Sequence, residues 1–196
     1  CGISGILGNA DQATALAMAA CLRHRGPDGG GGFYDELEHG SVAFGHARLS
    51  IVDIEGSSQP IESDHGAVLV QNGEIYNQLE LRSRCNAYPW RTSGDSEAIL
   101  ALHRKAILTA GSFSEDPSSD HAGWVSLLDG IWGFALWDRE RRELLLSRDP
   151  MGVKPLLRTL LPDGTLLFAS EVKAFHAHPE FTARPDIDAL AVRLAY

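Results

Sequence analysis

An α+β fold of stacked layers is predicted by two features of this chain: strand-rich stretches of antiparallel character alternate with a few helices, and 44% of its 196 residues are hydrophobic, ample for a core. A formal charge of −9 without a basic block argues against nucleic acid or an anionic membrane as partner, and leaves a small molecule or a protein. No apolar run approaches the ~20 residues that span a bilayer, and no basic region leads into an apolar stretch at the start. Neither anchor nor signal peptide is therefore expected, and the expected location is cytoplasmic. Cys1, Cys21 and Cys85 are odd in number and lack CxxC spacing, which fits neither a disulfide framework nor a zinc site. The eight histidines are scattered, so no metal is expected.

Residues 1–8 read as a strand, with Ile3, Ile6 and Leu7 anchoring it and Gly2 and Gly5 allowing close backbone approach. Asp11 to about Arg23 reads as a helix with Leu16, Ala19, Ala20 and Leu22 among its apolar positions, Cys21 facing the core, and Gly26-Pro27 closing it. The basic cluster Arg23-His24-Arg25 then runs into Gly29-Gly30-Gly31-Gly32, which reads as a pliable loop. No strand–GxxxxGK[ST]–helix pattern surrounds it, so it is not read as a phosphate cradle. Ser41–Asp53 reads as one or two strands. Gly66–Tyr76 opens as a buried strand, and Asn77 with Glu80 forms a capping-box pattern, so a helix is expected from Asn77. Asp95 or Ser96 is an N-cap candidate for a helix carrying Ile99, Leu100 and Leu102. Residues 109–123 are rich in turn formers and read as a surface loop. An antiparallel meander follows, with strands at 131–137, 143–148, 154–161 and 165–170. A short helix around 171–176 and another at 185–196 close the chain.

Several residues in this order carry chemistry. Numbered from cysteine, the chain joins a thiol of pKa near ~8.5 to an α-amine near ~7.7–8.0 that can take its proton. On this stretch alone, nucleophile and accident of cleavage remain open. Arg48, in a mostly apolar stretch, suits a carboxylate gripped by two parallel hydrogen bonds, or else an ion pair with Asp53 or a snorkelling surface position. Asn72 and Gly73 fall at the carboxyl end of a strand, where a side-chain amide and a backbone N–H can jointly stabilise an oxyanion.

Seven motifs in one order, Cys1-Gly2-Ile3, Arg23-His24-Arg25-Gly26-Pro27-Asp28, Arg48-Leu49-Ser50-Ile51-Val52-Asp53, Asn72-Gly73-Glu74-Ile75-Tyr76-Asn77, Ser93-Gly94-Asp95-Ser96-Glu97, Arg148–Pro155 and Phe168–Ala174, resemble a class II glutamine amidotransferase domain of the asparagine synthetase type. The resemblance implies a four-layer αββα sandwich of two antiparallel sheets, the N-terminal nucleophile hydrolase fold. It implies hydrolysis of L-glutamine to glutamate and ammonia through a γ-glutamyl thioester on Cys1, with Asn72 and Gly73 as the oxyanion hole. Arg48 would bind the α-carboxylate, Glu74 and Asp95 the α-ammonium, and Ile51 and Val52 complete the implied substrate site. It implies no cofactor for this domain, since ATP and Mg belong to a synthetase domain whose Ser-Gly-Gly-Leu-Asp-Ser loop is not in the sequence. Residues 1–184 then form the amidotransferase domain and 185–196 the start of a connection to a synthetase domain or subunit, the expected partner beside a possible homodimer. A glutamine-binding or regulatory module with little activity alone is the alternative. The chemistry requires a free amine on Cys1, and hence removal of any initiator methionine.

Overall fold

The computed structural model describes residues 1–49, 58–110, 123–189 and 191. Among the described residues nine strands form two wholly antiparallel sheets. The first contains β1 (Gly2–Gly8), β2 (Gly29–Glu36), β3 (Ser41–Arg48), β8 (Leu157–Leu160) and β9 (Leu166–Ala169), in the order β2-β3-β1-β9-β8. The second contains β4 (Ile61–Glu62), β5 (Ala67–Ile75), β6 (Gly130–Asp138) and β7 (Glu143–Arg148), in chain order. Helix α1 (Gln12–Ala20) covers the first sheet, and α2 (Gln78–Arg84) and α3 (Glu97–Ala110) cover the second.

Strand alternation turns this arrangement into four layers. Ile3 on β1, Val42 and Phe44 on β3, Val68 and Val70 on β5, and Ala135 and Trp137 on β6 meet in a core between the sheets. The alternate residues Ile6, Ala43 and Ala47 pack outward with Ala15, Met18 and Leu22 around α1. On the far side Leu69, Phe134 and Leu136 pack against Leu81, Ile99 and Leu102. Three cores between four layers give the αββα architecture.

Several sequence expectations change in detail. The glycines 29–32 are a strand rather than a pliable loop, each paired in register with Arg48 through Gly45 of β3. At Gly31 the reason is close approach. A Cβ on Gly31 would lie 2.0 Å from the carbonyl oxygen of Gln59. Gly31→Ala is expected to cost ~2 kcal/mol, the scale of overpacking a filled interior, and to lower Tm by roughly 4–8 °C, as calorimetry would read; an unchanged Tm would contradict this contact.

Helix α1 is shorter than expected, capped by the Asp11 carboxylate accepting from Thr14 N at 2.8 Å. Its buried stripe is Ala15, Met18 and Ala19; Ala20 and Cys21 lie off it, and Cys21 is exposed rather than facing the core. Asn77 precedes α2 as expected but does not cap it with its side chain. Its amide instead donates to Leu127 O and accepts from Asp129 N, fastening the helix entry to the start of β6, while Glu80 pairs with Arg84. The expected meander does not form as one: it splits into two hairpins, β6 with β7 in the second sheet and β8 with β9, four residues each, in the first, because the chain crosses between the layers after β7. The turn at Val172–Ala177 is a 3-10 helix. Residues Thr109 and Ala110 belong to α3 rather than to a loop. Residues 111–122 of that loop, Ile51, Val52, Asp53 and half of the expected last helix lie outside the described residues, Gly123 opening a 3-10 helix instead. Among the described residues no helix is long and apolar enough to cross a membrane, and no group of three or more His, Cys, Asp or Glu could hold a metal ion.

Candidate active site

Cys1 stands at the head of β1, where the register pairing Gly2 with Ala47 of β3 brings it beside Arg48 and Leu49. Its thiol accepts from Leu49 N at 3.3 Å and lies 3.5 Å from Leu49 O. The α-amine donates to Arg25 O at 3.0 Å, and Arg25 Nε returns a hydrogen bond to Cys1 O at 3.1 Å. Arg25 is held in turn by Glu171, 2.7 Å from Nη1, and Glu171 also receives His24 and Lys173. The hydrogen bond from Arg25, above all, holds the Glu171 carboxyl down at about 2. The basic cluster before the glycines is thus a clamp on both backbone groups of Cys1.

The amine itself is tuned. Burial first, then the neighbouring Arg25 and Lys154 cations, lower it from 8.0 to about 6, with Asp28 opposing. Lys154 is brought there by the loop after β7. Asp149 organises that loop by accepting from Val153 N and Lys154 N, both at 2.9 Å, and from Trp132 N at 3.3 Å.

Across from Cys1 lies β5, and the two residues expected to stabilise an oxyanion use its two different directions. Even-numbered side chains point between the sheets with Val68 and Val70, so Asn72 is directed toward the Cys1 layer; it is buried and its Nδ2 has no hydrogen-bond partner. Backbone groups of the odd residues point away from β6. Ala67 O accepts from Ser63 N, Gln71 N donates to Gln59 Oε1 at 2.5 Å, and Ile75 N donates to Asp95 Oδ2 at 2.7 Å. Gly73, between them, therefore aims its N–H out of the edge that the two-residue β4 leaves uncovered. A Cβ there would lie 2.2 Å from Ile131 O, so the tight pairing with β6 requires glycine.

Of the two N-cap candidates, Ser96 is the residue that immediately precedes α3, while the Asp95 carboxylate holds the end of β5. Burial raises its carboxyl, and the Glu74 charge adds to that while the Ile75 N–H opposes it. The loop that carries it is pinned by Glu97, which accepts from Arg91 N, Thr92 N and Thr92 Oγ1. Arg82 completes the support, donating to Thr92 O and Gly94 O and stacking 4.1 Å over Trp90.

Cys1, Arg48, Asn72, Gly73, Glu74 and Asp95 thus line one cavity of about 130 Å³. The rest of the expected set, Ile51 and Val52, is outside the described residues. The cavity also takes in His46, Gln59, Gln71, Ser96 and Lys154, none of which the sequence placed in the site. For Lys154 the signal was its place in the Arg148–Pro155 motif. For His46 it was strand parity, two residues before Arg48 on the same face.

Similarity to known proteins agrees with this geometry. The chain is 36% identical over 184 residues to asparagine synthetase (glutamine-hydrolyzing) 1 of Bacillus subtilis (strain 168), covering 89% of this chain and 26% of that protein. It is 32% identical over 189 residues to asparagine synthetase (glutamine-hydrolyzing) 2 of the same organism, covering 91% and 22%. The chain spans about a quarter of the length of these curated relatives. A solved structure of glutamine phosphoribosylpyrophosphate amidotransferase from B. subtilis shares the fold, with a TM-score of 0.68 and 24% identity over 90% of this chain and 43% of that one. The family model described as "Glutamine amidotransferase domain" matches residues 1–196, and the chain therefore belongs to the glutamine amidotransferase domain family, with relatives of the asparagine synthetase type.

Proposed function

We propose that this domain hydrolyses L-glutamine to glutamate and ammonia with Cys1 as nucleophile. One observation carries the reading: a thiol and its own α-amine, lowered to about 6, share a cavity with an unpartnered Asn72 amide and with groups of both signs suited to a free amino acid. Arg48 takes the α-carboxylate, and Glu74 and Asp95 receive the α-ammonium. The amine accepts the thiol proton as sulfur adds to the amide carbon. Asn72 Nδ2 and Gly73 N–H then meet the developing oxyanion. Collapse breaks the C–N bond, the amine delivers its proton to the departing nitrogen, and ammonia leaves a thioester. Water then adds to that carbonyl and releases glutamate and the free thiol.

In the relatives named as glutamine-hydrolysing asparagine synthetases this domain is about a quarter of the protein, which supports ammonia being consumed by an ATP- and Mg-dependent synthetase domain or subunit. On that reading residues 1–184 are the glutaminase and 185–196 lead toward the synthetase. No residue of this cavity is assigned to ATP or metal.

The test is glutamate and ammonia release from glutamine without ATP, beside Cys1→Ser. Turnover that disappears in the variant supports the reading. No turnover by the folded wild-type chain, with glutamine binding seen by calorimetry, favours a binding module instead. The pH profile adds a second check. Only the unprotonated amine is a base, so kcat/KM is expected to fall below pH about 6 and to level off above it. Lys154→Met removes one of the cations that depress the amine and should move that midpoint upward; a midpoint that stays fixed would separate the profile from the amine.

A further inference from the structure

His46 lines the same cavity, is only 2% exposed, and has no hydrogen-bond partner at either ring nitrogen. The Gln71 main chain lies nearby and favours the charged ring, but falls outside hydrogen-bond geometry. Buried polar atoms are as a rule satisfied. An orphaned imidazole lining a cavity therefore marks a place where a ligand completes the pair.

Strand geometry says which part of a ligand that is. Val42 and Phe44 of β3 point between the sheets, so His46 and Arg48 share that face, about 7 Å apart along the strand at ~3.4 Å per residue. That is roughly the reach of an extended glutamine from carboxylate to amide. Burial gives the direction. Arg48, Asp95 and Lys154 are partly exposed and Glu74 is exposed, whereas His46, Gln71 and Asn72 are buried. A zwitterion fits with its charged end outward and its uncharged amide inward. The ring is neutral there, because burial first and the Cys1 α-ammonium next push it down to about 4. A neutral imidazole has one donor and one acceptor nitrogen.

We propose that His46 is a catalytic residue that accepts a hydrogen bond from the substrate carboxamide nitrogen and keeps hold of that nitrogen as it leaves as ammonia. The inference rests on the glutaminase reading and deepens it. As the S–C bond forms and the C–N bond breaks, the proton from the thiol reaches the nitrogen through the α-amine. His46 supplies no proton and takes none, so the product held is neutral NH₃. The same acceptor distinguishes an amide from the carboxylate of glutamate, which offers it no N–H.

The test compares L-glutamine with L-glutamate γ-methyl ester, whose methanol leaving group has no N–H, in the full chain and in His46→Leu, His46→Phe and His46→Gln. For His46→Leu, kcat/KM for glutamine is expected to fall about tenfold, as for loss of one hydrogen bond, and for the ester by less than about threefold. His46→Gln, which retains a carbonyl acceptor, should recover most of the glutamine rate. Ester turnover also reports folding, and His46→Phe carries the same comparison if the leucine variant does not fold. Equal losses on both substrates, or no loss on glutamine, would overturn the role of His46 and leave the glutaminase intact. A folded wild-type chain that hydrolyses neither substrate would overturn both.

Discussion

Replacing Cys1 by serine is expected to reduce glutamine hydrolysis by at least ~10³-fold, the scale seen when a covalent nucleophile is removed, while leaving Tm within about 2 °C. The fold should tolerate the change because the side chain sits at the end of β1, outside the three cores, and its contacts are with the Leu49 main chain, which a hydroxyl can also make. The chemistry should not tolerate it. An amine at about 6 is a weak base, adequate for a thiol near ~8.5 but mismatched to an aliphatic hydroxyl. The same argument extends to the backbone. A single residue placed before Cys1 turns the amine into an amide, which is no base, and displaces the hydrogen bond to Arg25 O. Such an extension should match Cys1→Ser in its loss of rate although the thiol remains. Glutamate release measured on matched, folded samples decides this, and an active extended chain would remove the amine from the mechanism.

Much of this site was legible in the sequence because its residues sit next to structural punctuation. Cys1, Asn72-Gly73 and Asp95 lie at or near the ends of strands and helices, where periodicity stops and polar residues stand out. What was not legible depended on pairing. The four glycines read as a loop because glycine weakens a strand in isolation; only the register with β3 and the approach of Gln59 show why bare backbone is needed there. His46 read as one more residue of a buried strand, since nothing local distinguishes a satisfied histidine from an orphaned one. Cys21 was assigned inward, but the buried stripe runs through Ala15, Met18, Ala19 and Leu22, and at 3.6 residues per turn position 21 falls roughly 100° away from it. Asp95 was legible as a cap candidate, a common use of Asp before a helix; that its carboxylate closes the β5 edge across twenty residues of sequence was not.

Asn72→Ala is expected to lower kcat by about 10²–10³, the usual consequence of losing one oxyanion donor, with little change in KM. The substrate's ground-state carbonyl makes a weaker demand on that donor than the oxyanion does. Gly73 offers no equally clean test, because any Cβ there collides with the Ile131 carbonyl and would move β6. The informative feature of Asn72 is that its amide nitrogen is buried without a partner. An unsatisfied buried donor typically costs the fold ~1–3 kcal/mol, so truncating it should leave Tm unchanged or raise it while the rate collapses. A residue kept for packing would show the opposite pattern, a lower Tm with activity falling only as far as folding does. Thermal unfolding and steady-state kinetics on one preparation separate the two. If kcat stayed within tenfold of wild type, or if Tm dropped by several degrees, Asn72 would be a structural amide and the oxyanion would need another donor from this cavity.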